Sequence, residues 1–186
     1  MILRRTFLSL FAGVVLAGGA ASAQTAPKRQ PDVHWEPSSD AAIKAMMEMA
    51  GVKKGDVVYD LGCGDGRVVI TAVREYGARG VGIDIDPQRI AESNANAKKA
   101  GVAGMAAFRE DDLFTAKIGD ASVVTLFLWP ALNLKLRPKL LRELKPGTRI
   151  VSNMHDMGDW VPSQTRRVEG RNVYLWIIPD KIPPGM

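Results

Sequence analysis

Apolar residues along this chain recur with two different periods, and the alternation between them outlines a fold. Ala42, Ile43, Met46, Met47 and Ala50 repeat at helical spacing behind Ser38 and Ser39, either of which can cap a helix that stops at Gly51. Strand and helix patterns then take turns. Val57–Leu61 reads as strand, Arg67–Tyr76 as helix, 80–83 as strand, 87–100 as helix and 105–108 as strand. A fourth strand is expected over 122–128, a helix over 132–144 and a fifth strand over Arg149–Asn153. Segments 165–169 and 172–178 flank Gly170 and Arg171 as an antiparallel pair. Short apolar strands separated by helices imply a parallel sheet covered on both faces, so the pattern predicts an α/β, Rossmann-like sandwich of five parallel strands closed by a C-terminal antiparallel hairpin.

The two ends of the pattern differ in kind. Arg4 and Arg5 precede an apolar stretch from Thr6 to Gly18, and Ala21-Ser22-Ala23 fits a cleavage site, so residues 1–23 read as an export signal. Arg4-Arg5-Thr6-Phe7-Leu8 resembles the twin-arginine signal, with Leu3 where Ser or Thr is usual. The competing reading is an uncleaved anchor, although the stretch falls short of the ~20 residues a spanning helix needs. Residues 24–37 hold Pro27, Pro31 and Pro37 among polar and basic residues and read as an extended tether, leaving 38–186 as one domain. The expected location is therefore exported (periplasmic) or anchored at the inner membrane, with the cytoplasmic face open to the anchored form.

Charge adds little to this picture. The 25 basic and 20 acidic residues give +5, and loss of Arg4 and Arg5 would leave +3, a weak argument for a nucleic-acid partner. Lys135, Lys139 and Arg142 share one helical face, and Arg166, Arg167 and Arg171 gather near the hairpin, without the interleaved aromatics that RNA binding uses. Cys63 is the one cysteine, so no disulfide forms within the chain, and with two distant histidines no metal-ligand set is expected. His34 falls in the tether and reads as solvated.

The densest chemistry is Asp60-Leu61-Gly62-Cys63-Gly64-Asp65-Gly66, between an apolar strand and a helix. Glycines let the backbone turn sharply and let a ligand approach, and the helix N-terminus offers free N–H groups. A dinucleotide fold places its third glycine three residues after the second, where this chain has Arg67. Asp60 would also repel a pyrophosphate, whereas a cationic cofactor without phosphate, S-adenosylmethionine (SAM), would attract it. Asp84 ends the second strand, where a carboxylate can accept from both ribose hydroxyls, while Asp86 reads better as the cap before Pro87. At the third station Asp112, favoured over Asp111, is placed to accept from an adenine amino group, with Leu113 or Phe114 against the ring.

These residues carry a resemblance. GDVVYDLGCGDGR from Gly55 to Arg67, GVGIDIDP from Gly80 to Pro87, DLF from Asp112 to Phe114, VVTLFLWP from Val123 to Pro130 and LRPKLLRELKPGTRIVS from Leu136 to Ser152 resemble the class I SAM-dependent methyltransferases. Within them, the chain resembles small bacterial relatives of the mitochondrial lysine methyltransferases that modify a component of ATP synthase and the adenine nucleotide carrier. The resemblance implies a SAM pocket lined by Asp60, Gly62, Cys63, Gly64, Gly66, Asp84, Ile85, Asp112, Leu113 and Leu128, and an acceptor side edged by Leu128, Trp129 and Pro130. Trp129-Pro130 stands where many methyltransferases of amide or base nitrogens carry Asn or Asp before Pro-Pro-Tyr. His155, after the fifth strand, is the candidate to touch or deprotonate the acceptor.

The expected activity is protein-lysine N-methylation by a monomer, with a lysine or related amine as acceptor and no nucleic acid. A small-molecule methyltransferase would need a lid, and 114–121 is too short to form one. A protein that senses SAM without turnover is the other alternative. Export sits awkwardly with a cofactor made inside the cell, since folded export with SAM bound supplies one turnover; an anchor that leaves the domain inside removes the conflict.

Overall fold

The computed structural model describes residues 35–182; the expected signal or anchor, most of the tether and His34 lie outside the described residues. Within the described residues, seven strands and four helices follow in the order α1 (Asp40–Met49), β1 (Val57–Leu61), α2 (Arg67–Tyr76), β2 (Arg79–Asp84), α3 (Pro87–Lys99), β3 (Ala106–Glu110), β4 (Val123–Leu126), α4 (Pro130–Glu143), β5 (Arg149–Asn153), β6 (Gln164–Val168) and β7 (Arg171–Ile177). The strands form one sheet in the order β3-β2-β1-β4-β5-β7-β6. Strands β1 to β5 run parallel, and β7 pairs antiparallel with both β5 and β6.

Alternation along each strand divides the core. Tyr59 and Leu61 of β1, Val124 and Leu126 of β4, Ile150 of β5 and Trp176 of β7 point to the face covered by Leu136, Leu140 and Leu141 of α4. Val58, Val123, Val151 and Val173 point to the other face, under Ile43, Met46 and Met47 of α1 and Val68 and Ala72 of α2. A further cluster joins Val69 and Val73 of α2 to Ala97 of α3.

Local chemistry sets the element ends. Ser39 caps α1, its hydroxyl accepting from the Ala42 amide at 3.2 Å, and Asp86 caps α3, accepting from the Gln88 amide at 2.8 Å with Pro87 in the first turn. The hairpin between β6 and β7 turns through Glu169 and Gly170, both at positive φ, the backbone of a type I′ turn.

Most element boundaries fall within a residue or two of the sequence expectation, and three of the shifts bear on the site or the sheet edge. β4 ends at Leu126, opposite Leu61 at the end of β1, and Phe127 and Leu128 leave the sheet although β5 runs one residue further. β3 runs on to Glu110, which pairs with Asp84, so two charged residues extend this edge strand. α4 starts at Pro130, where a proline in the first turn loses no helical hydrogen bond. Among the described residues no helix is long and apolar enough to cross a membrane.

Candidate active site

Strand order reverses between β1 and β4: from β1 the chain moves outward to β2 and β3, then returns on the other side. In such sheets ligands bind beyond the carboxyl ends of the strands at this switch point. A cavity of about 650 Å³ opens there, within the ~300–1,000 Å³ common for small-molecule sites. Its wall includes Asp60, Gly62, Cys63, Asp84, Ile85, Asp112, Leu113 and Leu128 of the site expected from sequence, together with Asp86 and Asp111.

Asp60, next to the last residue of β1, is almost wholly buried, at 5% exposure. Thr125 on the adjoining β4 donates its hydroxyl to Asp60 Oδ1 at 2.6 Å. Burial nevertheless dominates and, with the neighbouring charges of Asp84 and Asp65, pushes the Asp60 pKa up to about 7. A buried carboxyl poised to ionise beside a cationic ligand results.

Asp84 ends β2 and holds the turn that faces it. Its Oδ2 accepts from the Gly64 amide at 2.9 Å and its Oδ1 from the Asp86 amide at 3.0 Å. A carboxylate has about four lone-pair sites, so both oxygens keep acceptor capacity for a pair of hydroxyls. Burial raises its pKa, against the amide hydrogen bonds that lower it. Both Asp111 and Asp112 reach the wall; Asp111 Oδ1 accepts from the Asp112 amide at 2.8 Å, and Asp112 Oδ1 accepts from the Phe114 amide at 2.9 Å. Leu113 faces the cavity, whereas Phe114 lies under the Lys135 ammonium, 4.0 Å from its ring centroid. The Cys63 thiol stays neutral, since burial and the charges of Asp60 and Asp84 raise its pKa well above the ordinary value.

Two glycines of the turn do other work than lining the pocket. Gly66 precedes α2 at φ +80, and a Cβ there would lie 2.7 Å from Ser93 and 2.8 Å from Phe108. Its missing side chain admits α3 and β3, a packing role that the sequence does not show. Gly64 also lies off the cavity wall, because the space a side chain would take is filled by the indole of Trp35. The tether expected over 24–37 therefore packs onto the site at its end: Trp35, Glu36 and Pro37 all line the cavity.

Trp129, Pro130 and His155 stand outside the cavity wall. Trp129 is 61% exposed at the N-terminal cap of α4, next to Leu128, which does reach the cavity. The His155 ring stacks on Phe127, a wall residue, with centroids 6.3 Å apart. Burial lowers the His155 pKa, against the charges of Asp156 and Glu36, and keeps the ring neutral near pH 7. Asn133, buried in α4, positions this loop: its amide donates to the carbonyls of His155 and Asp156 at 3.2 and 3.1 Å.

Sequence reasoning does not find Trp35, Arg67, Arg89 or Phe127 as wall residues. Arg67 grips Asp65 through Nε and Nη2 and reaches the Ser38 carbonyl at 3.2 Å, joining the glycine turn to the start of the domain. On the basic face expected on α4, Lys135 and Arg142 are exposed but Lys139 is not. Lys139 is buried, donating to the Ala116 carbonyl and to Glu143, both at 2.6 Å, and Arg142 also pairs with Glu143.

The residues fit SAM on the structure's own terms: a buried acid for its ammonium, a second for its ribose, and apolar Ile85 and Leu113 beside a third for its adenine. Comparison with known proteins agrees. A "Protein-lysine N-methyltransferase" of Saccharolobus islandicus is 42% identical over 80% of this chain and 95% of its own length. A mouse lysine N-methyltransferase named for the C-subunit of ATP synthase is 33% identical over 69% of this chain, which spans about half (51%) of that protein. Among solved structures, an "RNA methyltransferase" from Salinibacter ruber in complex with S-adenosyl-L-homocysteine (SAH) superimposes with a TM-score of 0.79 at 52% identity, over 80% of this chain and 97% of that one. The profile of the ANTKMT methyltransferase domain matches residues 60–164, from Asp60 at the end of β1 to the start of β6. Since that match takes in more than half of the sequence, the chain belongs to this methyltransferase family and is a SAM-dependent methyltransferase.

Proposed function

We propose that this enzyme methylates a lysine amine on a protein. The observation that carries the reading is the exposed indole of Trp129, 61% exposed next to Leu128, which lines the cavity. An open aromatic face at the mouth of the cofactor site attracts an alkylammonium. The archaeal protein-lysine methyltransferase, matched over nearly its whole length, supports the same acceptor.

Bound SAM supplies an electrophilic methyl on a cationic sulfur. In this reading Asp60 takes the cofactor's ammonium, Asp84 its ribose hydroxyls and Asp112 its adenine amine, with Leu113 on the ring. Leu128, Trp129 and Pro130 border the acceptor, and an exposed indole attracts an alkylammonium through its π face. The amine must shed a proton before its lone pair can form the N–C bond, and neutral His155 beside Phe127 is the group assigned to receive it.

The RNA reading has one specific support, the Salinibacter ruber structure's name at 52% identity. Against it stands the pairing of three of the basic residues within the chain: Lys139 is buried against Glu143, Arg166 pairs with Glu48 and Arg171 with Glu36. The two acceptors separate in one experiment. The purified chain is incubated with methyl-labelled SAM and whole extract, and the product is divided between protease and ribonuclease. Protease-sensitive label recovered as methyl-lysine is expected; ribonuclease-sensitive label would overturn the protein reading.

The enzyme is further proposed to act as a monomer, exported or held at the inner membrane through its N-terminal segment, on the strength of the basic start, apolar stretch and Ala21-Ser22-Ala23. Light scattering reads the mass. Cell fractionation that finds the full-length chain free in the cytosol would defeat the membrane assignment.

A further inference from the structure

Trp35 belongs to none of the hydrophobic clusters that hold the domain together. It is 37% exposed, and its indole occupies the space in front of Gly64 that any larger residue would claim. The Arg89 guanidinium lies 4.8 Å from its ring centroid, and Arg89 is itself held by Glu92 at 2.7 Å. Both Trp35 and Arg89 line the cavity.

The residues that follow run along the same wall, fixed at several points. Glu36 pairs with Arg171 of β7 at 3.1 Å. The Ser38 carbonyl accepts from Arg67 at 3.2 Å, and its hydroxyl accepts from the Asn153 amide at 3.1 Å. This segment therefore reaches from the glycine turn to the hairpin, and the large apolar side chain of Trp35 is spent on the cavity instead of the core. The part of the indole left open faces a cavity of small-molecule size, so a ligand there would cover it.

We propose that Trp35, backed by Arg89, is the wall that retains the cofactor: it covers the glycine turn while SAM is bound and must shift for SAH to leave. The proposal rests on the SAM assignment alone and is independent of the acceptor. Gly64 acquires a second role from it. Besides freeing the turn to bond Asp84, the absent side chain makes the seat for the indole.

The indole also supplies the readout. Titrating the full chain with SAH changes intrinsic fluorescence, and stopped-flow displacement by excess SAM gives the release rate by the same signal or by filter-bound labelled SAH. In Trp35→Ala, affinity for SAH should fall and release quicken by about tenfold or more, the size of a lost aromatic and cation–π contact. Trp35→Phe, which keeps a ring, should recover most of the affinity, and Arg89→Gln should fall between. A structural role alone would lower the urea midpoint of the apo protein while leaving the release rate of folded protein untouched. Wild-type affinity and release in Trp35→Ala would overturn the proposal. Should that variant not fold, Arg89→Gln decides it: faster release supports the retaining wall, and unchanged release refutes it.

Discussion

Thr125 on β4 reaches across the ladder to donate its hydroxyl to the Asp60 carboxylate on β1, at 2.6 Å and in the buried interior. Burial raises the Asp60 pKa to about 7, and the Thr125 hydrogen bond restrains it from rising further. Ligand affinity and fold stability then depend on pH in opposite directions. SAM pairs with the ionised acid, so affinity should rise roughly tenfold from pH 5 to 6 and flatten above 7, with close to one proton released per SAM at pH 6. Calorimetry in buffers of different ionisation enthalpy measures that proton. Thr125→Val should move the midpoint upward, and an Asp60→Asn variant that kept the full pH dependence would count against Asp60 as its source.

The apo protein shows the converse. A carboxyl whose folded pKa is raised stabilises fully below its ordinary pKa of 3.8 and loses that contribution as pH rises through about 7. Asp60→Asn should therefore stabilise the apo fold at pH 8 and do little at pH 4. The upper bound is about 4 kcal/mol, from ~1.4 kcal/mol for each pKa unit. Urea unfolding at the two pH values gives the difference directly; equal effects at both would remove the charge explanation.

Gly66→Ala tests the packing role of the third glycine. The substitution forces a Cβ into the left-handed region at φ +80 and against Phe108 and Ser93. Together, backbone strain and overpacking should cost about 2–4 kcal/mol of stability. A loss under about 1 kcal/mol by urea unfolding, with SAM binding impaired, would return Gly66 to the cofactor pocket.

How much of this is legible in the sequence depends on which signals are periodic. The strands that carry Asp60 and Asp84 are short apolar runs beside a glycine turn, and both acids fall at strand ends as expected. Trp35 is not legible, because an extended segment has no period and its packing partners, Gly64 and Arg89, lie 29 and 54 positions away. Spacing alone puts Lys139 on the surface beside Lys135; only the tertiary fold brings the Ala116 carbonyl and Glu143 to its ammonium. Phe127 and Leu128 continue an apolar run that looks like strand, and nothing in that run marks the point, after Leu126, where the chain leaves the sheet to line the site. For Gly66 the sequence marks the residue but not the reason, as the colliding groups come from α3 and β3.

Arg149 ties together the N-terminal ends of the central strands β1, β4 and β5, opposite the site. It pairs with the buried Asp56 at 2.5 Å and donates to the carbonyls of Ala50 at 2.9 Å and Ser122 at 3.3 Å. Burial alone would raise the Asp56 pKa, but hydrogen bonds from Arg149, Ser122 and the Lys53 amide outweigh it and hold the carboxyl below its ordinary value. Stability from this group is present above pH 3.8 and lost as pH falls through the lower folded pKa. Arg149→Leu leaves Asp56 buried without its cation and should cost about 3 kcal/mol at pH 7. It should also blunt the acid limb of the stability curve below pH 4, and an unchanged acid limb by urea unfolding would show that the pair is not its source.

Trp129 and His155 lie outside the cavity wall while their neighbours Leu128 and Phe127 lie in it, and this geometry predicts a split in the kinetics. Trp129→Ala should leave SAM affinity within about twofold and lower kcat/KM for the protein acceptor by about 3- to 30-fold, the range of a cation–π contact. His155→Asn should act on the proton. In the wild type, kcat/KM should fall on the acid side with a pKa below 6.5, because burial holds the imidazole neutral down to that range. That limb should vanish in His155→Asn along with most of the turnover, while SAM binding persists. If Trp129→Ala instead weakens SAM, the indole lies on the cofactor side; if His155→Asn keeps both the acid limb and the rate, the acceptor loses its proton to water or to another group before it meets the methyl.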